Sequence, residues 1–170
     1  MAISMSSASL PIFRTMLANL SHLLDKGLAH AQARKFDPQV LVTYRLAPDM
    51  LPLSRQIQIA CDAAKNGVAR ISGVEAPKFE DNETTFDELR ARIAKTLAWL
   101  ETVPADKLDG TEDKDITFPV GRDATRTMKG EAYLKHWALP NFFFHVTTAY
   151  AILRHNGVEL GKADYLAGAK

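Results

Sequence analysis

The sequence predicts an all-α protein: a four-helix bundle with crossover connections and a small β-hairpin inserted before the last helix. Three observations carry this. Four segments repeat apolar residues at three- and four-residue steps, the period of one helix face. The connections after the first segment and after the third are long, which permits neighbouring helices to run parallel. One stretch, "DITFPVGRDATRTM", breaks the helical period and reads as two short strands around a Gly121 to Asp123 turn.

The first segment covers Ser7 to Lys35, with Leu10, Phe13, Leu17, Leu20, Leu24 and Leu28 forming its stripe. Pro11 falls near the first turn, where its missing N–H costs nothing. The run "KFDPQVLVTYRLAPDMLP" then holds three prolines and no sustained period, and is expected to be a long connection. A second helix starts near Pro52 and places Leu53, Ile57, Cys61, Ala64, Val68 and Ile71 inward until Gly73 stops it. Gly67 inside it weakens the pattern by about 1 kcal/mol of helix propensity.

Thr85 and Glu88 form a capping box ahead of the third helix, whose inward face is Phe86, Leu89, Ile93, Leu97 and Leu100 and whose end is Pro104. After the hairpin a fourth helix is expected from Glu131 to Asn156, kinked at Pro140. The C-terminal "VELGKADYLAGAK" is expected to be a partly ordered tail. The whole chain, 1–170, is read as one domain, long enough to bury a core without staples.

Composition bounds the function. Twenty-one Lys and Arg against 20 Asp and Glu leave a charge of +1, which provides no field to gather phosphates, so nucleic acid is a poor partner. A single cysteine, Cys61, excludes an internal disulfide and a thiolate zinc cluster, and is read as a small core residue. The N-terminus lacks the basic and apolar regions of a secretory signal, and no apolar run spans a bilayer. The expected location is the cytoplasm, with no membrane partner. Neither a Walker loop, a dinucleotide fingerprint nor a nucleophile elbow is present.

In a bundle, chemistry is built from polar side chains on inward stripes. Asn141 and His145 are four residues apart on the fourth helix and share a face, and Gln58 flanks the stripe of the second. His145 is the candidate catalytic residue, as general base or hydrogen-bond donor; a core histidine among Phe142, Phe143 and Phe144 is the plainer reading. Gln58, Asn141, His136 and Asp49 are the candidate binding residues. His136 lies on the opposite face of a straight helix from His145, and Asp49 reads equally as a helix cap or turn residue. An amide where a second imidazole would stand makes Asn141 a weak metal ligand. No residue is assigned to metal and no cofactor is expected.

Two stretches, "RLAPDMLPLSRQIQIACD" and "ALPNFFFHVTTAYAILRHNGV", resemble an uncharacterised family catalogued as a domain of unknown function within the DinB/YfiT-like superfamily. The resemblance implies a crossed, up-down-down-up bundle, often a homodimer, with three histidines around a divalent metal in metal-binding members. Those histidines fall on Gln58, Asn141 and His145, so one imidazole remains. The function this implies is a bundle with a degraded metal site that binds a small molecule or keeps a remnant pocket. The alternatives are a metal-dependent thiol transferase or hydrolase using His145 with Asp49 or Asp62, and a dimeric interaction module.

Overall fold

The structure of the protein, a computed structural model, describes residues 3–167. Four helices make the bundle: α1 (Leu10–Ala33), α3 (Leu53–Ser72), α4 (Phe86–Thr102) and α6 (Leu139–His155). Between them lie a short α2 (Gln39–Thr43), a hairpin of β1 (Asp115–Val120) and β2 (Ala124–Lys129), and a single turn α5 (Gly130–Tyr133). A further short helix, α7 (Lys162–Ala167), follows the bundle. No described helix is long and apolar enough to cross a membrane.

Helix directions follow from which residues meet. Arg14 donates to the Leu100 carbonyl across 2.7 Å and Asp25 pairs with Arg90, so α1 and α4 are antiparallel. Phe13 meets Phe142 edge-on at 5.0 Å while Gly27 lies against Leu153, so α1 and α6 are parallel. Gln56 bonds His145 and Gly67 faces Ala138, so α3 runs opposite to α6 and therefore alongside α4. The order is up-down-down-up, the crossed topology that the long connections permit. Phe13, Leu17, Leu20, Leu24, Ile57, Ala64, Leu89, Ile93, Val146 and Ile152 are among the side chains that fill one shared core.

The local signals act as their chemistry dictates. Thr85 accepts from the Glu88 N–H and Glu88 returns a bond to the Thr85 N–H at 2.9 Å, closing the box at the start of α4. Gly73 ends α3 at φ 76°, a left-handed cap that a side chain would strain. Strand β1 alternates exposed and buried, and it sends Ile116 and Phe118 into the bundle. There the Phe118 ring lies 4.8 Å from Tyr133 and 4.9 Å from Trp137, which fixes the hairpin against α5 and the turn that leads into α6.

Three expectations need correction. The first long connection contains α2, formed because Leu41 and Val42 reach the core as a pair on one turn. The last helix does not run unbroken from Glu131 to a kink at Pro140. Its turn Leu134–Ala138 widens to π geometry just before the proline, which makes room for a ring that would otherwise press on a carbonyl of the preceding turn. The C-terminal segment is ordered as α7 as far as residue 167. Lys26 pairs with Asp164 at 2.9 Å, Asn19 donates to the Tyr165 carbonyl at 2.9 Å, and the Tyr165 hydroxyl bonds Thr147 at 3.0 Å. Residues 168–170 of that segment lie outside the described residues.

Candidate functional site

His145 projects from α6 toward the N-terminal turn of α3 and is 8% exposed. Its Nδ1 lies 2.7 Å from Gln56 Oε1, and Gln56 Nε2 donates to the Leu51 carbonyl at 3.0 Å. The second bond settles the first. With the amide nitrogen committed to a carbonyl, the amide oxygen faces the ring and Nδ1 carries the proton, which leaves Nε2 as a lone-pair acceptor. Burial pushes the imidazole down to about 4, so it is neutral near pH 7. The ring of Phe144, itself 56% exposed, stands edge-on to it at 5.1 Å.

Gln58 is not part of this pair. It is buried on the other flank of α3, where its oxygen accepts from Arg55 at 2.7 Å and its nitrogen donates to Glu83 at 2.9 Å. Two residues of helix turn by about 200°, so Gln56 and Gln58 cannot both face α6. Asn141 is exposed one turn before His145 and lines a different surface, the cleft described below. His136 is exposed on the widened turn. Asp49 is exposed in a turn where the Met50 N–H bonds the Ala47 carbonyl at 3.0 Å, and the α3 cap is Pro52, so Asp49 caps nothing.

Gln58 instead belongs to an ionic cluster that joins α3, α4 and the connection 73–85. Arg92, 2% exposed, reaches Asp62 at 3.1 Å, Asp81 at 3.0 Å and Glu83 at 3.0 Å. Lys65 contacts Asp62 at 3.0 Å and Arg55 contacts Asp81 at 2.6 Å. Burial works against the charge on Asp81, but Arg55 and Arg92 outweigh it and hold the carboxyl below its usual range. Phe79 lies under both Lys65 and Arg92, at 4.2 and 5.4 Å from its ring centre. The cluster fastens the connection to the bundle. Cys61 beneath it is buried, which pushes its thiol up to about 12 and leaves no thiolate for chemistry.

The cleft at Asn141 opens between α3, the widened turn and the hairpin, with a volume of about 210 Å³. Asp62, Asn66 and Arg70 enter it from α3 at successive turns, Asn141 enters from α6, and Trp137 and Tyr133 form walls. Arg70 donates to the Tyr133 hydroxyl at 3.0 Å and its guanidinium lies 5.8 Å from the Phe118 ring. Asn66 and Arg70 escaped the sequence reading because they sit outside the apolar stripe of α3; their four-residue spacing after Asp62 was the available signal. Gln56, three residues after Leu53 and four before Ala60, had a signal as well, since that spacing places it on the inward face.

A firmly held transition ion requires three or more imidazole, thiolate or carboxylate donors converging on one point. Among the described residues no such group of three His, Cys, Asp or Glu exists. At His145 the neighbouring donor is an amide whose oxygen already binds the ring. The residues present do not fit the metal of the superfamily's metal-binding members.

The crossed up-down-down-up bundle defines the class of protein, a DinB-like fold. Residues 5–166 match the model of a family described as "Domain of unknown function (DUF1993)", and the chain belongs to that family. A crystal structure of a DinB family member protein from Shewanella denitrificans is 44% identical to it. That similarity covers 96% of this chain and 92% of the other, with a TM-score of 0.87. No curated protein matches the chain.

Proposed function

We propose that this protein is a metal-independent binding protein that takes a small polar molecule in the cleft between α3, α6 and the hairpin. The observation that carries the reading is the convergence of Asp62, Asn66, Arg70 and Asn141, from two helices, on one cleft with aromatic walls. Ligand sites pair a few converging polar groups with an apolar surround, and usually enclose about 300–1,000 Å³. At about 210 Å³ the cleft is small, which favours a ligand of few heavy atoms. On this reading the Gln56–His145 pair is the brace between α3 and α6 that holds the cleft's two sides in register, and His145 is not a catalytic base.

The test is a fragment screen by NMR on isotope-labelled protein, run beside metal analysis. Binding of small polar fragments is expected to shift the side-chain amides of Asn66 and Asn141 and the indole N–H of Trp137. An equimolar zinc or nickel ion that survives dialysis and is lost in His145→Ala would overturn the reading in favour of a metal-dependent enzyme.

A second reading, a homodimer, is favoured by the exposed Leu51 and Phe144, which flank the buried pair at 43% and 56% exposure. Large apolar side chains left exposed on a protein surface mark self-association surfaces when a second copy covers them. Light scattering on the protein and on Phe144→Glu tests it: the native chain at twice its monomer mass and the variant at monomer mass are expected.

A further inference from the structure

The cleft is charged at both ends, with opposite signs, and its middle is neutral. At one end Arg70 has no carboxylate within ion-pairing distance among the described residues; its one side-chain bond goes to the Tyr133 hydroxyl at 3.0 Å. At the other end stands Asp62. Its Oδ1 is buried against Lys65 at 3.0 Å and Arg92 at 3.1 Å, yet the side chain is 31% exposed, so the oxygen open to the cleft is Oδ2. Asn66 lies between them on α3 and Asn141 faces it from α6. Positions 62, 66 and 70 follow at one-turn steps, so the two charges are separated along the helix by about 12 Å, less whatever the Arg70 side chain spans.

We propose that this cleft recognises an elongated zwitterion, a small molecule with a carboxylate at one end and an ammonium at the other. The inference rests on the reading of the cleft as a ligand site. The carboxylate is received by the Arg70 guanidinium, whose paired N–H groups match its two oxygens. The ammonium is received by Asp62 Oδ2. The chain between them lies along Trp137 and Pro119, and polar groups on it are met by the amides of Asn66 and Asn141. Selectivity follows from sign as much as from contact. A ligand with only a carboxylate makes no contact with Asp62 Oδ2, and one with only an ammonium leaves Arg70 without a carboxylate, so each forfeits one of the two attractions.

The probes are 6-aminohexanoate, hexanoate, hexylamine and glycine, titrated into labelled native protein and into Arg70→Gln, with the Asn66, Asn141 and Trp137 signals as readout. Arg70 is partly exposed and lies outside the Arg92 cluster, so the variant is expected to fold, which circular dichroism verifies. Binding of 6-aminohexanoate at least tenfold tighter than each other probe is expected, with the preference over hexylamine removed in Arg70→Gln. Equal affinity for hexanoate or hexylamine, unaltered affinity in Arg70→Gln, or no binding of 6-aminohexanoate overturns the inference. If the polar fragment screen also leaves these three signals unmoved, the cleft is not a ligand site at all; if fragments bind and the zwitterion does not, only the ligand class is wrong.

Discussion

Gln56 Oε1 and His145 Nδ1 meet at 2.7 Å across two antiparallel helices, and the same amide is anchored to the Leu51 carbonyl at 3.0 Å. Burial opposes protonation and keeps the imidazole neutral, while the pair fixes its one proton on Nδ1. In the unfolded chain that imidazole titrates near 6.5, and in the folded protein at about 4. Between these values the unfolded chain binds more protons than the folded one. Stability from this group is therefore complete above pH 6.5, declines as pH falls, and is fully lost below pH 4. The loss is of order 3 kcal/mol. Urea unfolding at about pH 7.5 and about pH 4.5 measures it, and a variant lacking the histidine is expected to lose distinctly less stability over that interval. Equal losses in the two proteins would mean that His145 carries no part of the acid sensitivity.

The same pair predicts non-additive mutations. His145→Leu strands the Gln56 oxygen, and Gln56→Leu strands the ring Nδ1–H, each at a cost of about 1–3 kcal/mol for an unsatisfied buried group. Replacing both removes the donor and the acceptor together, so the double variant should be closer to native stability than the sum of the single changes. A double-mutant cycle by urea denaturation reads the coupling directly. Additive costs would show that the two side chains stabilise the bundle independently and that the bond itself contributes nothing.

Arg92 is the shared cation of Asp62, Asp81 and Glu83, at 3.0–3.1 Å from each. Arg92→Met leaves three carboxylates around an uncharged side chain, and breaking a buried ion pair in this one-sided way costs about 3–5 kcal/mol. The connection 73–85 loses its tether at the same time. Trypsin is expected to cut after the exposed Lys78 faster in the variant than in the native protein, at a temperature where both keep their helical circular dichroism. Cleavage at equal rates would show that the cluster does not hold the connection down.

Residue pattern alone carried the four bundle helices, because each buries a continuous apolar stripe and has a chemical stop or start: Gly73, Thr85 with Glu88, and Pro104. Elements stabilised by partners distant in sequence were not legible. α7 has no buried residue of its own and is held by Asn19, Lys26 and Thr147, more than a hundred residues or a helix away. The candidate site divides the same way. Asn141 and His145 stand one turn apart, yet Asn141 lines the cleft while His145 turns to α3, where the residue opposite it is Gln56 and not Gln58, a difference that depends on how α3 is rotated against α6. Arg92 had a legible signal, three residues after Leu89 and four before Thr96, but a guanidinium on an apolar stripe is intelligible only once its three carboxylates are brought to it.

Two glycines test how closely the backbone is packed, with opposite expected outcomes. At Gly67 an added Cβ would stand 3.4 Å from Ala138 Cβ and 3.6 Å from Phe13 Cζ, which is ordinary contact. Gly67→Ala gains up to about 1 kcal/mol of helix propensity and should leave the protein as stable as before or more so. At Gly130 an added Cβ would lie 2.0 Å from the Thr111 carbonyl oxygen, beside the bond in which the Glu131 N–H donates to the Glu112 carbonyl at 2.9 Å. That neighbour is backbone and cannot rotate aside. Gly130→Ala must separate the 111–112 segment from α5, strain the end of the hairpin and displace Tyr133, at about 3 kcal/mol, the upper end of what overpacking costs. Unfolding free energies of the two variants from urea titration are expected to move in opposite directions or to differ by at least that amount. A destabilised Gly67→Ala with an unaffected Gly130→Ala would mean that α3 and the widened turn pack more closely than α5 does against the 111–112 segment, the reverse of the geometry described.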